Sequence, residues 1–175
     1  SSALAQAEAL AFVAREGVDL ATRWVAPADG TRVEDAFSLY LSYDGAGGRV
    51  QGQSVRASST NVDQVGAYAI ASPSNLLYLL LFNKDTVART VAVSVAGGVN
   101  GTFGLYRFTA TTRLASAGGT TPVGDVLSLT LPARSATLAV GTVEKYLQPC
   151  LVLESKGRTF PVETQYLDKP VGNMP

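Results

Sequence analysis

The side chains that could do chemistry in this chain are acidic and aromatic, because its 175 residues include no histidine and a single cysteine, Cys150. Without an imidazole no Ser-His-Asp or Cys-His nucleophile can be assembled, and the commonest transition-metal ligand is missing. Catalysis would have to rest on carboxylates, Lys, Tyr or an oxygen-bound metal. Asp29, Glu34, Asp35 and Asp44 sit in or beside Gly-rich loops, where carboxylates and carbonyls can hold calcium in a flexible oxygen shell. Asp29 and Asp44 are the candidate metal ligands. No EF-hand spacing accompanies them, and turn or helix-cap duty is the plainer account of the same residues. Calcium-assisted attack on a small ester or lactone is the hydrolytic route this composition opposes least. Among the aromatic residues Trp24, Tyr40, Tyr43, Tyr68, Tyr78 and Tyr106, a flat apolar ring could stack on a pyranose, with Trp24, Tyr43 and Tyr106 the candidates for a polysaccharide. Burial in a core is the competing use of each, and no one strand collects them.

The totals remove other classes of partner. Net charge is zero and only 16% of residues are charged, so nothing draws the chain to nucleic acid or an anionic membrane. Lys156 and Arg158 flank Gly157 as a hairpin turn would, and two charges are no nucleic-acid patch. No run approaches the ~18 apolar residues of a membrane span, and no basic start of a secretory leader follows Ser1. One cysteine excludes an internal disulfide, and Cys150 beside Pro149 reads as an inert thiol.

The element that must organise the rest is Leu76 to Phe82, seven residues without a charge. A run so apolar is a strand buried on both faces. Asn83, Lys84 and Asp85 close it as a turn, and beyond them Thr90, Ala92 and Ser94 alternate with Val91, Val93 and Val95, which predicts a hairpin partner with one wet face. Residues 2–16 read as an alanine-rich helix stopped by Gly17, and Val33 to Tyr43 as a second helix ended by Asp44 to Gly48. Val18 to Val25 is a short extended piece. Further strands are expected at Ser54 to Ser58, Val65 to Ala71, Gly101 to Phe108, Thr112 to Leu114, Val126 to Leu131 and Thr137 to Val140, with turns at Gly97-Gly98, Gly118-Gly119 and Pro122 to Asp125. That spacing predicts a mainly β fold, an antiparallel β-sandwich with one or two N-terminal helices and an irregular C-terminal tail. The expected division is 1–48 for a helical segment packing on the sandwich, 49–141 for the sandwich and 142–175 for the tail. In the tail, Thr142 to Leu147 could form a helical turn or two, and Leu151 to Leu153 and Val162 to Leu167 look like strands.

The segment Ala14 to Trp24 (AREGVDLATRW), followed by Asp35-Ala36-Phe37, Tyr43-Asp44-Gly45, Asn83-Lys84-Asp85, Tyr106-Arg107-Phe108 and Leu131 to Ser135, resembles the C-terminal part of family 44 glycoside hydrolases, endoglucanase-like enzymes acting on β-glucans. The resemblance covers about residues 1–140. It implies that residues 1–16 correspond to the last helix of a (β/α)8 barrel and residues 50–140 to the sandwich beside it. Members are typically secreted. The two catalytic glutamates of that family lie on barrel strands that would precede Ser1, so none transfers to a position here; retaining hydrolysis needs two carboxyls about 5–5.5 Å apart. The stretch Ser135 to Leu138, Val143 to Leu147 and Leu153 to Leu167 resembles instead the join between the motor lobes of bacterial DEAH-box helicases. Neither a phosphate-binding Gly-Lys-Thr loop nor a DEAH box accompanies it, so that likeness implies no ATP chemistry. Together the two predict a truncated chimera: a non-catalytic accessory sandwich, with a β-glucan-binding module as the alternative. A sheet edge left unpaired by such a history invites a homodimer or an exchange of the tail, with Val162 to Tyr166 as the filler.

Overall fold

The computed structural model describes residues 2–96 and 98–143. Two helices, α1 (Ser2–Arg15) and α2 (Arg32–Leu41), precede eight strands: β1 (Gln53–Val55), β2 (Val65–Ala71), β3 (Leu76–Asn83), β4 (Arg89–Ser94), β5 (Asn100–Phe108), β6 (Ala115–Thr120), β7 (Val126–Leu131) and β8 (Ser135–Thr142). They form an antiparallel six-stranded sheet in the order β1-β2-β3-β8-β5-β6 and a two-stranded sheet of β4 and β7. The chain is a mainly β sandwich whose larger sheet carries the two helices on its outer face.

The strand β3 occupies the middle of this arrangement, and its run of apolar residues follows from that position. Tyr78, Leu80 and Phe82 pack against Ala3, Leu4, Ala7 and Ala11 of α1 and Ala36 and Leu39 of α2. Leu77, Leu79 and Leu81 point the other way, into a second core shared with Leu127, Leu129 and Leu131 of β7. A strand covered on both faces has no place for a polar side chain until its end. That end is Asn83, fully buried, whose amide nitrogen lies 2.8–3.0 Å from the carbonyls of Val87, Leu131 and Pro132. Gly141 on β8 leaves space that the ring of Phe103 fills; a Cβ there would lie 2.4 Å from it.

The hairpin expected of Leu76 to Phe82 with Thr90 to Ala96 does not form. Both edges of β3 are already taken, by β2 and β8, so after the Asn83 turn the chain crosses to the opposite sheet and β4 pairs with β7. Asn83 fixes this arch by bonding the carbonyls of the β7–β8 connection, and the Arg134 N–H bonds the Asp85 carbonyl at 3.0 Å. The one wet face of β4 is as expected: Thr90, Ala92 and Ser94 are exposed while Val91, Val93 and Val95 are half-buried. The strand expected at Thr112 to Leu114 is displaced to Ala115–Thr120. Thr109 accounts for the shift, since its hydroxyl accepts the N–H groups of Thr111 and Thr112 and bends the chain there. Gly118-Gly119, expected as a turn, lies inside β6: Gly118 takes φ +84 where β6 carries an extra residue against β5, and a Cβ at Gly119 would meet Thr102 at 2.9 Å. The expected strand Ser54 to Ser58 is the shorter β1, and residues 18–25 join no sheet. The expectations for Cys150, Lys156, Arg158, Leu151 to Leu153 and Val162 to Leu167 fall outside the described residues.

Candidate functional site

Tyr43 and Asp44, just past the C-terminal end of α2, adjoin Tyr106, while Glu34 and Asp35 stand in the first turn of the helix. Thr31 caps that helix, its hydroxyl accepting the Glu34 N–H at 3.3 Å, and Glu34 and Asp35 follow in the first turn, where the helix dipole favours negative charge. Asp35 is buried, and Arg113, arriving from the β5–β6 connection, places its Nε 2.8 Å from both carboxylate oxygens. The same guanidinium reaches Glu34 at 3.0 Å, and Arg32 donates to the Thr111 carbonyl at 2.9 Å. These contacts hold the 109–114 loop beside the helix, and Asp35, with Glu34 behind it, raises the affinity of Arg113 for its proton.

After α2 the chain folds back on itself through glycines. Asp44 accepts the N–H groups of Ala46 and Gly48, each at 2.8 Å, while Ser42 accepts that of Gly47 at 3.1 Å. Gly45 and Gly47 take φ +72 and +93, and a Cβ at Gly48 would lie 2.6 Å from the Asp44 carboxylate and 2.8 Å from the Tyr43 ring. Only glycine closes this turn without displacing the tyrosine. The two backbone donors hold the Asp44 carboxyl below the usual carboxylate range.

The turn sets Tyr43 over the large sheet. Its ring centroid lies 4.7 Å from that of Tyr106 and 6.3 Å from that of Tyr78, tilted in the first pair and edge-on in the second. Tyr106 is on β5 and Tyr78 on β3, separated by β8: Leu138 opposes both Leu80 and Tyr106, and Val140 opposes both Tyr78 and Gly104. The Tyr106 ring leans over Gly104, 3.5 Å from where a Cβ would stand. Burial pushes the hydroxyls of Tyr43 and Tyr78 up, with Tyr78, Tyr106 and Asp44 adding to the effect at Tyr43. Beside the cluster a depression of about 290 Å3 is lined by Ser38, Ser42, Tyr43, Asp44, Arg113 and Ser116 among others.

Of the candidates read from sequence, Tyr43 and Tyr106 are brought together and Asp44 lies next to Tyr43. Trp24 is wholly exposed on the 16–30 loop and touches neither ring. Asp29 is exposed in the turn before α2, apart from Asp44, and among the described residues no group of three or more Cys, Asp and Glu side chains comes together. Tyr78 was weighed with the other aromatic residues as a ring that could stack but was not among the chosen candidates, although its place among the even-numbered residues of β3 marks the helix-covered face. Arg113 gave no local signal, because its partner is 78 residues away.

Fold and site together define a mainly β, two-layer sandwich with two helices on one face and an aromatic cluster beside a polar depression. No protein-family model matches the sequence. The fold is similar to that of a bifunctional glucanase-xylanase from a metagenome library, with a TM-score of 0.76 and 31% identity over 81% of this chain and 28% of that one. It is also similar to a glycoside hydrolase family 44 endoglucanase from Clostridium acetobutylium, at a TM-score of 0.73 and 25% identity over 81% of this chain and 29% of the other. By sequence, 87 residues are 29% identical to the beta-mannanase/endoglucanase A of Caldicellulosiruptor saccharolyticus, which is 49% of this chain and 6% of that protein. The chain therefore spans less than a third of the length of each of these relatives.

Proposed function

We propose that this sandwich is a non-catalytic accessory part of a cellulase-like glycoside hydrolase, serving as a scaffold. The observation that carries the reading is the likeness to the glucanase-xylanase, which takes in 81% of this chain yet reaches only 28% of that protein. The acidic residues support it. Glu8 is paired with Lys84 at 2.9 Å, Glu34 and Asp35 with Arg113, Asp85 with Arg89, and Asp44 with its own loop. A retaining glycosidase needs a carboxylic acid of raised pKa facing a second carboxyl across a cleft. Asp44 and Asp85 are shifted the opposite way. In this reading the likeness of the tail to a helicase segment marks a second ancestry and brings no activity with it.

One observation favours glycan binding as a second reading: Tyr43, whose ring packs on Tyr106, also lines a polar depression. Pyranose recognition uses such a pairing of ring face and hydrogen-bonding groups. Titration calorimetry of the purified chain with soluble β-glucan, beside a reducing-sugar assay on the same material, separates the readings. A scaffold gives neither heat nor product. Binding abolished by Tyr106→Ala puts the second reading in place of the first. Turnover lost on Asp44→Ala overturns both.

A further inference from the structure

The depression beside the tyrosine cluster presents polar groups whose bonding capacity is only partly used within the chain. Asp44 is exposed, and the two N–H groups it accepts, from Ala46 and Gly48, both end on Oδ1. Oδ2 is engaged by neither and remains an acceptor. Ser42 accepts the Gly47 N–H through its hydroxyl oxygen, which leaves its own proton to donate. Ser38 and Ser116 add two further hydroxyls to the lining, and Tyr43 supplies an aromatic wall. A space of about 290 Å3 lies at the lower end of small-molecule sites, which begin at roughly 300 Å3. One sugar unit suits it better than a length of chain.

Charge decides which kind of sugar. A uronate is gripped by a guanidinium fork, two parallel N–H groups on one carboxylate. The fork of Arg113 is already turned inward: its Nε lies 2.8 Å from both oxygens of Asp35, and its Nη2 3.0 Å from Glu34. Of the charged side chains that line the depression, Asp35 and Asp44 outnumber Arg113. An anionic ring entering there meets like charge with no fork to compensate. A neutral ring is received differently, because its hydroxyls donate and the Asp44 carboxylate accepts, in a charge-assisted bond roughly twice as strong as a neutral one. Asp44 is also held by its own loop before any ligand arrives, so little side-chain freedom is lost on binding.

We infer that the depression takes one unit of a neutral glycan and rejects uronic acids, with Asp44 Oδ2 accepting from ring hydroxyls and Tyr43 packing on the apolar face of the ring. The inference deepens the glycan-binding reading above and rests on it.

The test is titration calorimetry of the full chain at pH 7 with cellotetraose, xylotetraose and mannotetraose, and with tetragalacturonate as the acidic counterpart. The chain is expected to bind at least one of the neutral tetrasaccharides and to give no heat with tetragalacturonate. Asp44→Asn keeps an oxygen for the Ala46 and Gly48 N–H groups and puts an amide NH2 in the place of Oδ2, so the turn is retained and the acceptor is lost. This variant is expected to bind the neutral ligand at least tenfold more weakly, with its urea midpoint read alongside to show that it is folded. A neutral ligand that is lost on Tyr106→Ala and bound unchanged by Asp44→Asn leaves glycan binding in place and overturns the role of Asp44. Tetragalacturonate bound as tightly as the neutral ligand overturns the exclusion of uronic acids. No heat with any of the three neutral tetrasaccharides overturns both this inference and the reading beneath it.

Discussion

The two faces of the large sheet are finished to different degrees. On one, α1 and α2 cover Ile70, Tyr78, Leu80, Phe82, Phe108 and Leu138, and the cover is tied down at its margins by Glu8 to Lys84 and by Asp35 to Arg113. On the other, a sheet of only two strands faces six, so the floor beneath β1 and β2 stays open as the groove. Layers of a domain must bury what they make apolar. The helix side satisfies that demand within residues 2–143, and the groove side does not.

Substitutions of equal kind should register the contrast. Phe82→Ala removes a fully buried ring between β3 and the helices, and a loss of about 4 kcal/mol is expected in denaturant melts. On the other face Val93 is half-buried at the groove wall. Val93→Ala should cost about 1 kcal/mol, well below the loss at Phe82, because the side chain is covered on one side only. A loss as large as that of a fully covered valine would show that the groove does not stand open in the full chain, and would narrow the difference between the faces to strand number alone.

The same contrast separates what could be read from the sequence from what could not. Strand β3, with both faces buried, was legible because its period is simply absent, and the wet face of β4 because its period is regular. Their relation was not legible. Asn83, Lys84 and Asp85 announce a reversal, but the sheet that receives the next strand is decided by Asn83 meeting Leu131 and Pro132, 48 and 49 residues on. At the candidate site the residue types were readable and the assembly was not. Tyr43 and Tyr106 could be named as rings with a use, yet their 4.7 Å approach depends on the register of β5 against β8 and on a glycine turn from Gly45 to Gly48. Trp24 offered the strongest ring by type and stands alone, because stacking potential is a property of a residue and a site is a property of several.

The smallest expected effect concerns acid. Each region holds one carboxyl below its ordinary 3.8, Asp44 on the helix side and Asp85 at the arch into the smaller sheet. A group whose pKa falls on folding stabilises the native state above 3.8 and loses that contribution as pH drops through its folded value, because the unfolded chain takes up the proton first. Stability should therefore decline below pH 3.8, and Asp44→Asn and Asp85→Asn should each flatten the decline. The causes differ, however. Asp85 is held down first by Arg89, whose Nε donates to it at 2.9 Å, whereas Asp44 is held by the N–H groups of Ala46 and Gly48. At 1 M salt the screening length shrinks to about 3 Å, which weakens the charge partnership at the arch more than the backbone bonds at the helix turn. The flattening caused by Asp85→Asn should shrink in high salt while that caused by Asp44→Asn persists. Urea midpoints of the two variants between pH 2 and 5, at low and high salt, read this directly, and an equal response of both to salt would mean that Arg89 contributes no more to Asp85 than a neutral donor would.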